Sequence, residues 1–264
     1  MLAADMAFPG TFLLLPALSP HEWSVVVLAA ALGGLTRGFT GFGFAMIFMP
    51  LASTVLAPQT ALAVIWIIDA PFALALGARA LPKADKPGVL SLLVTASLMF
   101  PVGVYVLTSL DPVPIRWVIS GLIVTALGIL ISGWRYHGRP GLPLTLGVGG
   151  VSGLFSGLAS LGGMPVALFW LSSQTRKPIE IRADMQSYFG LATFVSGAVL
   201  AWKGILSVET LVLGALMMPV YGAMLYAGTR GFRIASETTF RRIAYGVIFT
   251  AAVISLPVLD GWLR

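Results

Sequence analysis

Long apolar stretches separated by short polar segments run along most of this chain. A helix that spans a bilayer needs about 20 apolar residues. Stretches of that length occur at 58–79, 87–108, 114–134, 178–202, 205–229 and 238–260. The chain lacks the strict alternation of apolar and polar residues that is typical of half-buried strands. The pattern therefore predicts an all-α polytopic membrane protein.

Two further apolar regions, 23–56 and 141–173, are interrupted by small and polar residues. We place the interruptions at 37–43 and 156–163. The piece on each side of an interruption has about 12–18 residues, or roughly 18–27 Å of helix, which is shorter than a hydrocarbon core of about 30 Å. We therefore expect half-helices or strongly tilted helices beside each break.

The two interrupted regions are copies of one pattern. The first copy reads "GLTRGFTGFGFA" at Gly34–Ala45, and the second reads "GLFSGLASLGGM" at Gly153–Met164. Further along, Pro58 and Pro178 occupy equivalent positions, each at the start of a long apolar stretch. Each half therefore contains a broken helical hairpin followed by three transmembrane helices. The predicted parts of one integral domain are a lead-in, a first repeat and a second repeat, at 1–22, 23–134 and 135–264.

Basic residues indicate on which side of the membrane each loop lies, because Lys and Arg are enriched in cytoplasmic loops. If each broken region enters and leaves on the same side, most Lys and Arg fall on one side, in the loops at 79–86, 135–140, 174–182 and 230–242. If each region instead crosses the membrane, the basic loops are divided between the two sides. The first arrangement is favoured. It places the N-terminus outside and makes the halves inverted repeats, which are common in secondary transporters.

The composition agrees with a bilayer setting and excludes several function classes. Hydrophobic residues make up 58% of the chain and charged residues 10%, whereas soluble domains carry about 25% charged residues. The net charge of +6 follows from the basic cytoplasmic loops, so we expect no nucleic-acid partner. The chain has no cysteine, its two histidines are far apart, and it contains no nucleophile or phosphate-binding motif. We therefore expect no enzyme, cofactor or metal site.

The breaks themselves carry the chemistry that we expect. Non-helical backbone is tolerated at membrane depth only where protein buries it or where it lines an aqueous cavity. The first N–H groups of a helix lack intrahelical partners and lie at the positive end of the helix dipole. Two helix starts that meet near the midplane would therefore bind an anion. The predicted anion-binding residues at the breaks are Thr40, Gly41, Phe42, Gly43, Ser156, Ser160, Gly162 and Gly163.

Close helix packing is the alternative role for the glycines. Gly34 and Gly38 form a pair of small residues four positions apart, and Gly153 and Gly157 form the equivalent pair in the second copy. Such pairs let two helix backbones approach each other closely. Both roles remain open at this point.

Arg37 is the basic residue most clearly placed inside an apolar region, and Asp69 is the only acid in the middle of a predicted span. Arg37 stands beside the first break, where we expect it either to bind the anion or to snorkel or cap the helix end. Asp69 lies about 16 Å along the helix that begins at Pro58, near the midplane. We expect Asp69 either to carry a coupling proton or to form a static pair with Arg37.

A charged segment, "PIEIRADMQSY" at Pro178–Tyr188, opens the equivalent helix of the second half. Arg182 and Gln186 share one helix face and are candidate anion ligands. Asp184, on another face, is the second candidate for proton coupling. The alternative is an ordinary charged helix start at the cytoplasmic interface.

The two motifs, extended to "GLTRGFTGFGFAMIFMP" at Gly34–Pro50 and "GLFSGLASLGGMPVALFWL" at Gly153–Leu171, resemble the sulfite exporter TauE/SafE family, also called the toluene sulfonate uptake permease family. Where that family often has a glycine triplet, this chain reads "GFA" and "GGM", so the exact substrate stays open. The resemblance implies a secondary transporter, or permease, of sulfite or organosulfonates in the bacterial inner membrane. An anion channel is the alternative. The partners that we expect are a small anionic substrate and the lipid bilayer, and proton coupling and a homodimer are left open.

Overall fold

The computed structural model describes residues 17–40, 43–132, 141–171 and 177–231, and most of 246–258. Within these residues every regular element is helical, which confirms the all-α prediction. The helices are α1 (Pro20–Thr40), α2 (Phe44–Ala52), α3 (Pro58–Ala80), α4 (Lys86–Ser109), α5 (Pro112–Ser132), α6 (Leu142–Ala159), α7 (Gly163–Leu171), α8 (Pro178–Trp202) and α9 (Val208–Gly231). A short 3-10 turn, Leu81–Lys83, follows α3. Residues 248–254 are also helical.

Most of the predicted spans are confirmed as helices, namely α3, α4, α5, α8 and α9. Five helical segments are long and apolar enough to cross a membrane, as a polytopic membrane protein requires: Pro58–Lys83, Lys86–Ser109, Pro112–Ile129, Leu142–Ala159 and Val208–Gly231. α8 is as long but falls outside this set, because its first turns carry charged and polar side chains between Glu180 and Tyr188. The predicted span 238–260 and the lead-in 1–22 lie largely outside the described residues.

The two broken regions are helical on both sides of the break, but the predicted lengths of the pieces were only partly right. α6 has 18 residues, as predicted, whereas α1 is longer, with 21, and α2 is shorter, with 9. α7 has 9 residues up to Leu171, the last one described there. The breaks are also shorter than predicted, because α1 continues to Thr40 and α6 to Ala159. Arg37 and Ser156 consequently lie in the last turns of helices rather than in the gaps.

The chain reverses direction at both breaks. Ser152 Oγ donates a hydrogen bond to the Gly162 carbonyl oxygen at 2.7 Å, although a continuous helix would separate these residues by about 15 Å along its axis. In the first region the Phe44 ring packs against Gly33 of the preceding helix. α1 with α2, and α6 with α7, are therefore helical hairpins.

Glycines bring the hairpins into close contact with two later helices. A methyl group at Gly38 of α1 would overlap the backbone of α9 at Leu225, and one at Gly157 of α6 would overlap the backbone of α4 at Phe100. The packing role left open for these glycines is therefore confirmed. Equivalent residues of the two motifs make equivalent contacts, α1 with α9 and α6 with α4.

α3 and α8 pack against each other between these two pairs of helices. Gly77 of α3 and Gly190 of α8 are in backbone contact, so the two helices approach closely there. Nearby, Trp66 Nε1 donates a hydrogen bond to the Thr193 carbonyl oxygen at 3.0 Å. α3 and α8 therefore connect the two halves and carry the residues that line the space between the breaks.

We expect Gly38→Ala to destabilise the folded protein by about 1–3 kcal/mol, the usual cost of forcing extra volume into a packed interior. The added methyl group would collide with the Leu225 carbonyl oxygen, which belongs to the backbone of α9. The measurement is thermal unfolding of the purified variant in detergent.

The matched control for Gly38→Ala is Gly121→Ala on α5. Among the described residues no atom lies close to the Cβ position of Gly121, and alanine favours a helix over glycine by about 1 kcal/mol. The control should therefore unfold at or above the wild-type temperature. An unchanged unfolding midpoint for Gly38→Ala would contradict the close packing of α1 on α9.

Candidate functional site

A cavity of about 140 Å³ lies between the two breaks, and we call it the central cavity. Helices of both halves line it, α1 to α4 from the first and α6 to α8 from the second. Apolar side chains such as Leu62, Phe100 and Leu200 form much of its wall, and polar groups are few. A largely apolar cavity with a few convergent polar groups is typical of a small-molecule site.

Both short helices begin at the central cavity. Gly43 and Phe44 at the start of α2 line it, and so do Gly163 and Met164 at the start of α7. Gly43 has left-handed backbone, with φ 93°, a conformation that glycine adopts without strain. The first N–H groups of a helix lie at the positive end of its dipole and are not all used within the helix. Here the Met46 and Met164 N–H groups already donate to the Gly43 and Leu161 carbonyl oxygens, both at 3.2 Å. The two helix starts therefore bring hydrogen-bond donors and positive potential to one volume.

Most of the predicted site residues that the structure describes line the central cavity. These are Arg37, Gly43, Asp69, Ser156, Ser160 and Gly163. Gly162 lies in the adjoining turn, where its carbonyl oxygen accepts the hydrogen bond from Ser152. Gly41, Phe42 and the side chain of Thr40 lie outside the described part of the chain. The two breaks thus meet at one cavity, and the roles of these residues remain predictions.

An ion pair lies at the wall of the central cavity. Arg37 Nη2 lies 2.9 Å from Asp69 Oδ2, and the two side chains are 13% and 17% exposed. Tyr221 OH donates a hydrogen bond to the other carboxylate oxygen, Asp69 Oδ1, at 2.6 Å. The pair with Arg37, one of the two roles left open for Asp69, is therefore present. Its partial exposure keeps both charges within reach of a ligand in the cavity.

Aromatic packing holds Tyr221 in place. Its ring centroid lies 4.6 Å from that of Phe44 and 5.3 Å from that of Phe72. Phe44 is also the first residue of α2. The carboxylate network therefore packs against the helix start that lines the cavity.

Hydroxyl groups take the equivalent place in the second half. Ser156, the counterpart of Arg37 in the repeated motif, lines the central cavity. Ser152 Oγ lies 2.8 Å from Tyr188 OH. Because Ser152 donates its own proton to the Gly162 carbonyl oxygen, Tyr188 is the donor in this contact. The two halves are therefore related in geometry but different in charge.

The charged start of α8 is divided between two environments. Arg182 and Gln186 line a second cavity together with Arg37. Asp184 is buried, with 0% exposure, and accepts a hydrogen bond from the Asp85 N–H at 2.7 Å. Asp184 thus ties α8 to the residue before α4 and is not among the residues that line either cavity. Its position gives a coupling role less support than the position of Asp69 does.

Sequence reasoning missed Tyr221, Ser152 and Tyr188. Tyr221 lies 152 residues from Asp69, in an apolar helix without a local signal of its role. Ser152 did carry a signal, because it lies directly before the glycine-rich motif and one helical turn before Ser156. A search for hydroxyl groups on the same helix face as Ser156 would have found it.

The profile of the family "Sulfite exporter TauE/SafE" matches residues 26–255, a range that covers most of the chain and includes both breaks. This chain belongs to the TauE/SafE family. A curated relative, "Probable sulfite/organosulfonate exporter TauE" of Cupriavidus necator, is 32% identical over 254 residues, which cover 89% of this chain and 95% of the relative. No solved structure matches the chain.

Membership of the TauE/SafE family confirms the resemblance that the two glycine motifs carry. Together with the apolar helices it makes the chain an integral membrane protein of a transporter family, not of an enzyme family. The central cavity, which both motifs line, is the candidate site of this TauE/SafE member.

Proposed function

We propose that this chain is a secondary transporter of sulfite or organosulfonates in the bacterial inner membrane. The observation that carries the proposal is the convergence of two helix starts and Arg37 on one cavity. The substrate class is taken from the TauE relative, which is named for sulfite and organosulfonates. A cavity of about 140 Å³ has room for several water-sized groups, enough for a small anion of this class.

The proposed site offers hydrogen-bond donors to the oxygens of the anion from several directions. Backbone N–H groups come from the starts of α2 and α7. Arg37 has five N–H donors, of which the contact with Asp69 uses only part. Hydroxyl groups of Ser156 and Ser160 complete the set. The proposed ligands are Arg37, Thr40, Gly41, Phe42, Gly43, Ser156, Ser160, Gly162 and Gly163.

Asp69 couples anion binding to a proton in this proposal. While Asp69 is ionised, it holds Arg37 at 2.9 Å and competes with the anion for the guanidinium group. Protonation of Asp69 removes that competition and leaves Arg37 free to bind the substrate. A proton that travels with a monovalent anion also cancels its charge. The step then avoids the electrical cost of moving one charge, which is about 2.3 kcal/mol for each 100 mV of membrane potential.

The proposed topology has the N-terminus outside and two inverted repeats, at 23–134 and 135–264, each a re-entrant hairpin followed by three helices. The equivalent packing of α1 on α9 and of α6 on α4 supports two related halves. Inverted halves allow one central site to open to either side of the membrane in turn. A homodimer is part of the same proposal. Exposed apolar residues such as Leu98 of α4 would contact either lipid or a second copy of the chain.

Single cysteines test this topology, because the chain has none of its own. A cysteine at Ala84, in the loop after α3, should react with a membrane-impermeant maleimide only from the cytoplasmic side. One at Val113, at the start of α5, should react only from outside, since α4 separates the two positions. Labelling of Ala84→Cys from outside would refute the proposed orientation.

Counterflow in proteoliposomes tests the proposed function and separates a carrier from an anion channel, its nearest alternative. Vesicles loaded with unlabelled sulfite should transiently take up radiolabelled sulfite above its external concentration. A channel gives no counterflow but carries ohmic current across a planar bilayer. Protein-free vesicles are the control. If neither sulfite nor sulfoacetate gives counterflow or current, the proposed substrate class is wrong.

A further inference from the structure

A second cavity of about 100 Å³ lies beside the central one, and we call it the inner cavity. Its lining comes from α1, α3, α8 and α9 and includes Arg182, Gln186 and Thr229. Arg182 is in the second turn of α8, and Thr229 is in the last turn of α9. On the proposed topology these are cytoplasmic ends of helices. The inner cavity therefore lies between the central cavity and the cytoplasm.

The two cavities are stacked along the helix axes. On α3 the central cavity is lined by Asp69 and Ala70, and the inner cavity by Ala73 and Leu76. One helical turn, about 5.4 Å, separates these two sets. On α8, which runs in the opposite direction, Gln186 lines the inner cavity, and residues further along the helix, from Tyr188 to Leu200, line the central one.

Of the described residues, Arg37 and Phe189 line both cavities. The Arg37 Cζ atom lies over the Phe189 ring, 5.9 Å from its centroid. The same ring lies against Gly163 at the start of α7. The two side chains therefore form a thin layer between the cavities, directly beside the proposed anion site.

Phe189 and Asp69 occupy matching positions in the two halves. Pro58 begins α3 and Pro178 begins α8, and Asp69 and Phe189 follow these prolines at the same distance along the helix. Both contact Arg37, Asp69 through its carboxylate and Phe189 through its ring. Moving the carboxylate away would leave a charge without its partner, whereas moving an apolar ring would not. Phe189 is therefore the movable side of this layer.

The inner cavity has the chemistry of an oxyanion site. Arg182 contributes a guanidinium group, Gln186 an amide N–H₂ group, and Arg37 is shared with the central cavity. The described lining contains no acidic side chain. Guanidinium groups bind planar or tripodal oxyanions through paired, charge-assisted hydrogen bonds. An anion that moves past Arg37 toward the cytoplasm therefore meets Arg182 next.

We propose that Arg37 and Phe189 form a gate between two anion subsites, one in the central cavity and a second at Arg182 and Gln186 in the inner cavity. The inference rests on the proposed anion transport. The Phe189 ring moves aside, and Arg37 keeps contact with the sulfite or sulfonate oxygens while the anion passes from one subsite to the other. The second subsite receives the anion before it is released to the cytoplasm, or captures it there first in the reverse direction.

Sided labelling of single cysteines tests the gate. Ser97→Cys places a thiol in the central cavity, and Thr229→Cys places one in the inner cavity. In sealed vesicles an impermeant thiol reagent should label Thr229→Cys from the cytoplasmic side and Ser97→Cys mainly from the opposite side. Adding Phe189→Ala should make Ser97→Cys reactive from the cytoplasmic side as well. Phe189→Leu, which keeps most of the apolar volume, is the matched control and should preserve the one-sided labelling.

Two labelling results would overturn the gate. The first is one-sided labelling of Ser97→Cys that persists in the Phe189→Ala background. The second is labelling of Ser97→Cys and Thr229→Cys from the same side while Phe189 is intact. Wild-type counterflow is measured in parallel, so a failure of anion transport itself is distinguished from a failure of the gate.

Transport kinetics test the second subsite without altering the packed layer. Arg182 is exposed, so Arg182→Gln should fold. It should raise the half-saturation concentration for sulfite added on the cytoplasmic side about threefold to tenfold, because a charge-assisted contact is lost there. The value for sulfite added on the opposite side should not change.

Lys177→Gln is the matched control for the second subsite, because it also removes one positive charge. Lys177 is exposed, lies just before α8 and is not among the described residues that line the inner cavity. It should leave both half-saturation concentrations close to wild type. If Arg182→Gln affects both sides equally, or no more than Lys177→Gln does, the inner cavity is not an anion subsite.

Discussion

Arg37→Gln is expected to abolish sulfite counterflow, with a loss of at least about 100-fold in the initial rate. A hydrogen bond to a charged group contributes about 1.5–3 kcal/mol, and the proposed site uses two or more of them from Arg37. Two such bonds at the lower limit correspond to about 3 kcal/mol, which is roughly 100-fold because about 1.4 kcal/mol is tenfold. The measurement is the initial rate of radiolabelled sulfite counterflow in proteoliposomes.

Loss of folding must be separated from loss of binding, because Arg37 is also the partner of Asp69. Removing Arg37 leaves the Asp69 carboxylate without its ion-pair partner in a site where both side chains are mostly covered, at 13% and 17% exposure, so Arg37→Gln alone should lower the unfolding temperature. The double variant Arg37→Gln/Asp69→Asn replaces the ion pair by two neutral amides and should recover stability but not transport. If it transports sulfite at the wild-type rate, Arg37 is a structural residue and not an anion ligand.

The breaks were predictable from sequence because the glycine motif is duplicated. A chain reversal needs small residues whatever surrounds it, and the two copies place their reversals at equivalent points. α2 begins at Phe44 and α7 at Gly163, at the ends of the interruptions that the sequence placed at 37–43 and 156–163. The lengths of α1 and α6 were not predictable in the same way. Glycines such as Gly38 interrupt an apolar pattern, yet they continue the helix because another backbone packs against them.

The partners of the charged residues were predictable only in part. An ionised Asp69 in the middle of a membrane span needs a partner of opposite charge, and Arg37 was the available cation. Nothing local relates Tyr221 to Asp69, because the contact depends on how α9 packs against α3. Arg182 and Asp184 lie two positions apart, yet one lines the inner cavity and the other binds the backbone before α4. Helical periodicity separated their faces but did not show which helix each face contacts.

Asp69→Asn is expected to uncouple anion transport from the pH gradient while anion exchange is retained. The asparagine keeps the size of the side chain, and its Oδ1 atom can still accept the hydrogen bond from Tyr221, which is 2.6 Å long in the wild type. The neutral amide no longer competes electrostatically for Arg37, so the guanidinium group stays available to the anion, as it does when Asp69 is protonated. Counterflow of sulfoacetate should therefore persist, whereas accumulation driven by a pH gradient should disappear.

The measurement uses vesicles with the membrane potential clamped at zero and a pH difference of about one unit across the membrane. With one proton per anion, the wild type should accumulate sulfoacetate about tenfold, because one pH unit corresponds to about 1.4 kcal/mol. Asp69→Asn should show no accumulation. Tyr221→Phe is the matched control, since it removes a hydrogen bond to the carboxylate but keeps both charges, and it should still respond to the gradient. If Asp69→Asn accumulates the sulfonate as the wild type does, Asp69 is only the static partner of Arg37. The coupling proton must then be carried by another group, and Asp184 is the next candidate to test.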